Sequence, residues 1–330
     1  MQSLVWCTAG LLLSAAGTWA ALGYARWRRL VDLPDERRNH SIPTPRGGGI
    51  GIVIASLAGV AVAAGLGFVA PFAALAFAAG LLLVAGVGWI DDHRPLSAWL
   101  RLLAHVLAGG VLALVPAVQG QWLLAACALM LVPALVNIWN FMDGINGIAT
   151  IQTALCLLLV SLLLSAPATL PVVLALGACL GFLPFNFPRA RIFLGDVGSG
   201  ALGFVVAAAV VLVADRGDLR CVLVAMPAMP FLVDAGFTLA GRMIRGERWW
   251  QAHSQHLYQR LVRRGHGHAA VALGYAGFSI VAVILALFIA TLQVGWALAL
   301  AATVGWFLFV AAAWFFLKDR TDAEESSGLE

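Results

Sequence analysis

The sequence predicts an all-α protein that crosses a membrane many times. Three observations predict it: 62% of the 330 residues are hydrophobic, only 11% are charged, and the apolar residues gather in eleven continuous segments. A spanning barrel strand would instead alternate over about ten residues. A soluble domain carries about 25% charged residues to coat its surface. The composition therefore excludes a cytosolic globular enzyme, a disordered chain and a nucleic-acid-binding module.

A spanning helix needs about 20 mostly apolar residues. The segments run over 4–25, 48–69, 72–90, 102–118, 122–139, 145–165, 170–186, 199–214, 219–240, 270–291 and 294–317, and the shortest leave ten as the alternative count. The first has no basic residue before it and Arg26, Arg28 and Arg29 just after it. A cleaved signal peptide has the opposite polarity, so this is an uncleaved first helix with its N-terminus outside. The inner connections are then 26–47, 91–101, 140–144, 187–198 and 241–269, and the chain ends in the cytoplasm. They and the end of the chain from Lys318 hold all of the 20 Lys and Arg residues except Arg216 and Arg220, which share an outer loop with Asp215 and Asp218. That asymmetry is the positive-inside pattern. Residues 1–318 form one integral membrane domain and 319–330 a polar, frayed tail. The five cysteines are scattered singly through apolar runs, with no metal or redox spacing.

With so few charges, each acidic residue near a span needs an account, because burying one in the bilayer is costly. Asp91-Asp92 follows the third span; adjacent carboxylates repel unless a cation neutralises them. Asn137, Asn140, Asp143 and Asn146 recur every three residues, which on a helix makes one polar stripe. Asn186 and Asp196 lie between the seventh and eighth spans, with glycines flanking Asp196 that let a ligand approach, although Asp196 also suits a helix N-cap. All these clusters fall at one membrane face. Asp234, late in the ninth span, stands apart. Oxygen ligands without His or Cys beside them favour Mg²⁺, with Mn²⁺ as the alternative ion.

The largest inner loop carries Arg242, Arg245, Arg248, His253, His256, Arg260, Arg263 and Arg264. His253 and His256, three apart, suit phosphate donation better than a metal site. His266, His268 and His105 read as solvated or structural. In the first inner loop Arg37, Arg38, His40 and Arg46 precede a glycine-rich helix start, Gly47-Gly48-Gly49, whose N–H groups could face an anion. Carboxylates for a hard cation and cations for phosphates thus gather on one face of an apolar bundle. That combination fits an enzyme joining a phosphorylated soluble donor to a lipid phosphate.

These residues resemble a known family, the polyprenyl-phosphate N-acetylhexosamine-1-phosphate transferases (glycosyltransferase family 4). The matching stretches are Asp32-x-Pro34 through Pro43-Thr-Pro-Arg-Gly-Gly-Gly49, Asp91-Asp92, Asn140-x-x-Asp143-Gly-x-Asn146-Gly, Asn186 followed by Phe193-Leu-Gly-Asp196, and His253-Ser-Gln-His256. They stand in family order along nearly the whole chain. The resemblance implies transfer of a sugar 1-phosphate from a UDP-N-acetylhexosamine-type donor to undecaprenyl phosphate, releasing UMP, at the cytoplasmic face of a bacterial inner membrane. It implies Asp196 as the principal magnesium ligand, with Asp92 as a second. Asp91 and Asp92 would orient or deprotonate the lipid phosphate, or help hold the metal. Asn140, Asp143 and Asn146 would shape the nucleotide and metal pocket, and His253 and His256 would contact donor phosphates. Asp91, Asp92, Asp196 and His256 are thus the catalytic candidates. Arg46, Asn140, Asp143, Asn146, Asn186, His253 and Arg260 are the substrate-binding ones. Family members are often dimers, so a homodimer is expected; no nucleic-acid partner is.

Two departures matter. Gln255 stands where the family usually has another histidine, and Pro95, preceded by Arg94, stands where some relatives carry a lysine. Both point towards transferases that initiate O-antigen-like surface polysaccharides. The competing reading is a proton-coupled transporter or flippase, which predicts mid-bilayer carboxylates and an internal repeat.

Overall fold

The structure, a computed structural model, describes residues 1–33, 42–215, 219–248, 251, 253–292 and 295–327. Pro34, Arg37, Arg38, His40, Arg216, Asp218, Trp249 and Trp250 lie outside the described residues, as does the side chain of Arg220. Each of the eleven predicted segments is helical. They are α1 (Gln2–Arg28), α2 (Ile50–Gly65), α3 (Pro71–His93), α4 (Ala98–Ala117), α5 (Trp122–Met142), α6 (Ile148–Leu163), α7 (Thr169–Asn186), α8 (Asp196–Asp215), a 3-10 stretch Leu219–Ala228 leading into α9 (Met229–Ile244), α11 (His268–Thr291) and α12 (Trp296–Ser327). A short α10 (Leu257–Arg263) lies in the largest loop. Among the described residues nine helices are long and apolar enough to span a membrane, the 3-10 stretch and α9 counting as one. The other two, α2 and α6, have only 16 residues each. The chain is a multi-pass membrane protein.

Three local expectations change. A two-stranded antiparallel ribbon, β1 (Val31–Asp32) on β2 (Thr44–Pro45), closes the first loop. The Asn/Asp stripe is not one helix face, because α5 stops at Met142 and Gly147, at φ 78°, carries the chain through a turn. The polar segment after Lys318 continues α12 to Ser327 instead of fraying.

α8 is the axis. Residues 197–207 are buried without a break, as expected of a helix apolar all round, and α3, α5 and α6 pack about it. Small residues set how closely the helices approach, as is usual where lipid removes the hydrophobic drive between them. At the α1–α7 contact, a Cβ on Gly177 would stand 2.0 Å from the Cys7 carbonyl oxygen. Gly177→Val is expected to destabilise the detergent-solubilised protein by about 1–3 kcal/mol, the usual cost of overpacking. An unchanged thermal midpoint would refute that contact.

Candidate active site

The connections that follow α1, α3, α5 and α7 converge at one end of the bundle around a cavity of about 250 Å³. Its walls include Asp32, Arg46, Asp92, Asn140, Asp143, Asn146, Asn186 and Asp196. Backbone hydrogen bonds tie the first of these connections to the last. Phe193 N donates to the Pro45 carbonyl at 2.8 Å, and Gly48 N and Gly49 N donate to the Phe193 and Leu194 carbonyls, both at 2.9 Å. Arg46 and Asp196 are therefore held on the walls of one cavity by a fixed frame.

Asp91 and Asp92 share the last turn of α3 but do different things. Asp91 accepts from Leu96 N at 2.6 Å and from Arg101 Nη1 at 3.0 Å. Asp92, 2% exposed, accepts from Asp196 N and Val197 N, both at 3.1 Å. It therefore caps the first turn of α8 from another helix, satisfying amides that a helix start leaves open. Gly195, at φ 75°, is what lets that turn approach; a Cβ there would stand 2.6 Å from Asp92 Oδ2. Arg46 lies beside Asp92, its Nε 3.9 Å from Oδ1, donates to the Asp92 carbonyl and reaches within 3.8 Å of Asp32.

Asp196 opens α8 and is one-third exposed to the cavity, at 33%. Its Oδ1 accepts from Asn140 Nδ2 at 2.9 Å and its Oδ2 from Arg101 Nη1 at 3.4 Å. Asn140 also donates to Ser199 Oγ at 3.1 Å. Asn186 is a brace: it accepts from Gly147 N at 2.6 Å and donates to the Ile192 carbonyl at 3.0 Å, joining two of the loops. Asn146 makes a parallel tie to the Pro188 carbonyl at 3.0 Å. Among the described residues no protein donor is recorded on the Asp143 carboxylate. Burial first, then the Asp196 and Asp92 charges, push Asp143 well above the usual carboxylate range.

The structure does not bring every candidate to the cavity. His253 and His256 are absent from its walls and do not share a helix face. His256 immediately precedes α10 and His253 lies in the irregular segment before it. Burial lowers His256. It also lowers His253 to about 4, with His256 and Arg242 adding to the shift, so burial disfavours the charged form of both rings. Arg260 pairs with Asp322 on α12 and donates to the Gln255 carbonyl at 3.0 Å, which draws it away from the cavity. Gln255 turns to Arg245 and Glu247.

Two residues were missed. Arg101, in the first turn of α4, bridges Asp91 and Asp196; in sequence it is one arginine among those that mark the inner face. His268, read as solvated, lines the cavity at the start of α11. The neighbouring His266 lies instead against an apolar pocket between α9 and α12.

The charges do not balance. Among the described residues, Asp91, Asp92, Asp143 and Asp196 meet two guanidiniums, Arg46 and Arg101. Carboxylates crowded in a half-buried cavity call for a further cation. Among the described residues no three His, Cys, Asp or Glu side chains form a ready metal cage. A hard cation held by one or two carboxylates and completed by substrate phosphates is the arrangement that suits magnesium. The oxygen donors present fit such an ion.

The glycosyl transferase family 4 profile matches residues 74–214, which covers α3 to α8 and both ends of the Asp92–Asp196 contact. The chain is 32% identical to the decaprenyl-phosphate N-acetylglucosaminephosphotransferase of Mycolicibacterium smegmatis, over 85% of this chain and 80% of that protein. It is 26% identical to the probable undecaprenyl-phosphate N-acetylglucosaminyl 1-phosphate transferase of Bacillus subtilis, over 72% of this chain and 71% of that one. A shorter match, 36% identical over 39% of this chain and 45% of the other, is to a phospho-N-acetylmuramoyl-pentapeptide-transferase of Synechococcus. With an aligned relative along most of both chains and the motif residues Arg46, Asp92, Asn140, Asp143, Asn146, Asn186 and Asp196 on one cavity, the chain belongs to glycosyl transferase family 4, the polyprenyl-phosphate N-acetylhexosamine-1-phosphate transferase superfamily.

Proposed function

We propose that this protein transfers a sugar 1-phosphate, N-acetylhexosamine or its 6-deoxy form, from a UDP-sugar to undecaprenyl phosphate at the cytoplasmic face of a bacterial inner membrane. An oxygen of the lipid phosphate attacks the sugar-bearing phosphorus. The bond from that phosphorus to the bridging oxygen breaks, and UMP leaves with that oxygen. One phosphoanhydride replaces another, so the protein's contribution is positioning and charge neutralisation. Mg²⁺, when bound, would neutralise the donor diphosphate. Asp196, one-third exposed, and Asp143 are the carboxylates placed to hold it; Asp92, 2% exposed, is buried against the α8 amides. Arg46 and Arg101 are the cations placed to meet phosphate oxygens.

The observation that carries this reading is the gathering of Asp92, Asp143 and Asp196 on the walls of one cavity, in excess of the guanidiniums among the described residues, in a chain of this family. The relatives' names support an N-acetylglucosamine-type donor and a polyprenyl phosphate acceptor. The product would start an O-antigen-like surface polysaccharide. Gln255, one of the two departures behind that last step, bonds Arg245 and Glu247 and is absent from the cavity walls. The eleven-span topology with the N-terminus outside belongs to the same proposal.

The test is UMP release by purified protein given undecaprenyl phosphate, Mg²⁺ and a panel of UDP-N-acetylhexosamines. UMP is expected only when lipid, ion and one donor are all present. Release without lipid, or undiminished release in a chelator, would overturn the reaction as written.

A further inference from the structure

We propose that Asp234, which takes no part in the chemistry above, is a positioning residue: it holds the start of α10 and, through Tyr258, the turn that presents Asp143. The carboxylate is fully buried, at 0% exposure. Its Oδ1 accepts from Leu257 N at 2.8 Å and Trp314 Nε1 at 3.0 Å, with Thr238 Oγ1 at 3.4 Å. Its Oδ2 accepts from Tyr275 Oη at 2.7 Å and Tyr258 N at 3.3 Å. Four elements, α9 to α12, thus meet on one side chain, each of these five partners donates to it, and His256 Nδ1 lies 4.0 Å from Oδ1. A seven-residue helix has little stability of its own, so α10 depends on this anchor.

Geometry then carries the anchor to the cavity. Tyr258, 1% exposed, donates its hydroxyl to the Phe141 carbonyl at 3.0 Å. It also fills the space beside Gly144, where a Cβ would meet the hydroxyl oxygen at 2.1 Å. Asp143 lies between those two residues in the chain. Gln259, next after Tyr258, itself lines the cavity. A shift of α10 therefore moves both a cavity wall and the turn bearing Asp143.

The kinetic arm of the test rests on the transferase reading; a second arm does not. In full-length protein in detergent, Asp234→Asn and Tyr258→Phe are compared with wild type by UMP-release kinetics and by hydrogen–deuterium exchange. Asp234→Asn is expected to lower kcat at least tenfold with both KM values within twofold. It is also expected to speed exchange in 140–147 and 256–263 while 187–195 keeps its rate. Tyr258→Phe, which keeps α10 anchored, should lower kcat three- to tenfold and speed exchange in 140–147 alone. The double variant should match the worse single one, as for groups acting through one path. Additive kinetic losses, faster exchange confined to 256–263, or faster exchange everywhere in Asp234→Asn would each overturn the proposal. If wild type releases no UMP, the transferase reading fails and the exchange pattern alone decides the positioning role.

Discussion

Asp196→Asn is expected to lower turnover about 10³-fold, roughly 4 kcal/mol of transition-state stabilisation, while leaving the thermal midpoint in detergent unchanged or higher. The side chain keeps its shape, and its remaining oxygen can still accept from Asn140 Nδ2, now at 2.9 Å. What disappears is the charge that faces the cavity and binds a cation. Stability is not expected to fall, because the wild-type carboxylate stands among Asp91, Asp92 and Asp143, and removing one negative charge relieves repulsion among the rest. Sites commonly hold such unfavourable charge for the sake of the ligand that neutralises it. Calcium-free titration with Mg²⁺, followed by the ligand-induced shift of the midpoint, separates the two effects: wild type should be stabilised and Asp196→Asn should not. A variant that turns over at wild-type rate would remove Asp196 from the chemistry.

Much of this site is legible in the sequence because the chain is so apolar. Among few charges, a paired Asp91-Asp92 or an Asp143 beside turn residues has no solvated surface on which to be commonplace, and helices of membrane length fix which ends are neighbours. The same logic fails where a residue has an ordinary excuse. Arg101 fits the positive-inside pattern, so nothing marks it as the bridge between Asp91 and Asp196. His268 sits two residues from His266, yet one faces the cavity and the other an apolar pocket; the start of α11 separates them. The spacing of three through Asn137, Asn140, Asp143 and Asn146 suggests one helix face, but beyond α5 the turn at Gly147 leaves Asn146 on the Pro188 carbonyl, whereas Asn140 reaches Asp196 and Ser199 on α8. Asn137 instead donates to the Pro133 carbonyl on its own helix and lies 3.3 Å from His105. Asp234 binds amides more than twenty positions away. Pairings of that kind depend on how helices are arranged, and spacing along the chain does not contain it.

Asp92→Ala is expected to cost both activity and folding, which distinguishes it from Asp196→Asn. The sequence offers Asp92 as a metal ligand or lipid-phosphate base; the structure gives its two oxygens to Asp196 N and Val197 N. Removing them leaves two buried amides without an acceptor, about 1–3 kcal/mol each, and takes from Arg46 the carboxylate beside its Nε. The two orphaned amides by themselves set an expected loss of about 2–6 kcal/mol in stability. Because the amides belong to the first turn of α8, the same loss releases Asp196, and turnover should fall at least 10²-fold. Asp92→Asn keeps one acceptor but turns an N–H₂ towards an amide N–H, so it should fall between Ala and wild type in stability. If Asp92 served only as a ligand, Asp92→Ala would leave the denaturation midpoint where it was and affect turnover alone. The midpoint of the inactive variant therefore tells a helix cap from a metal ligand without any need to observe the metal.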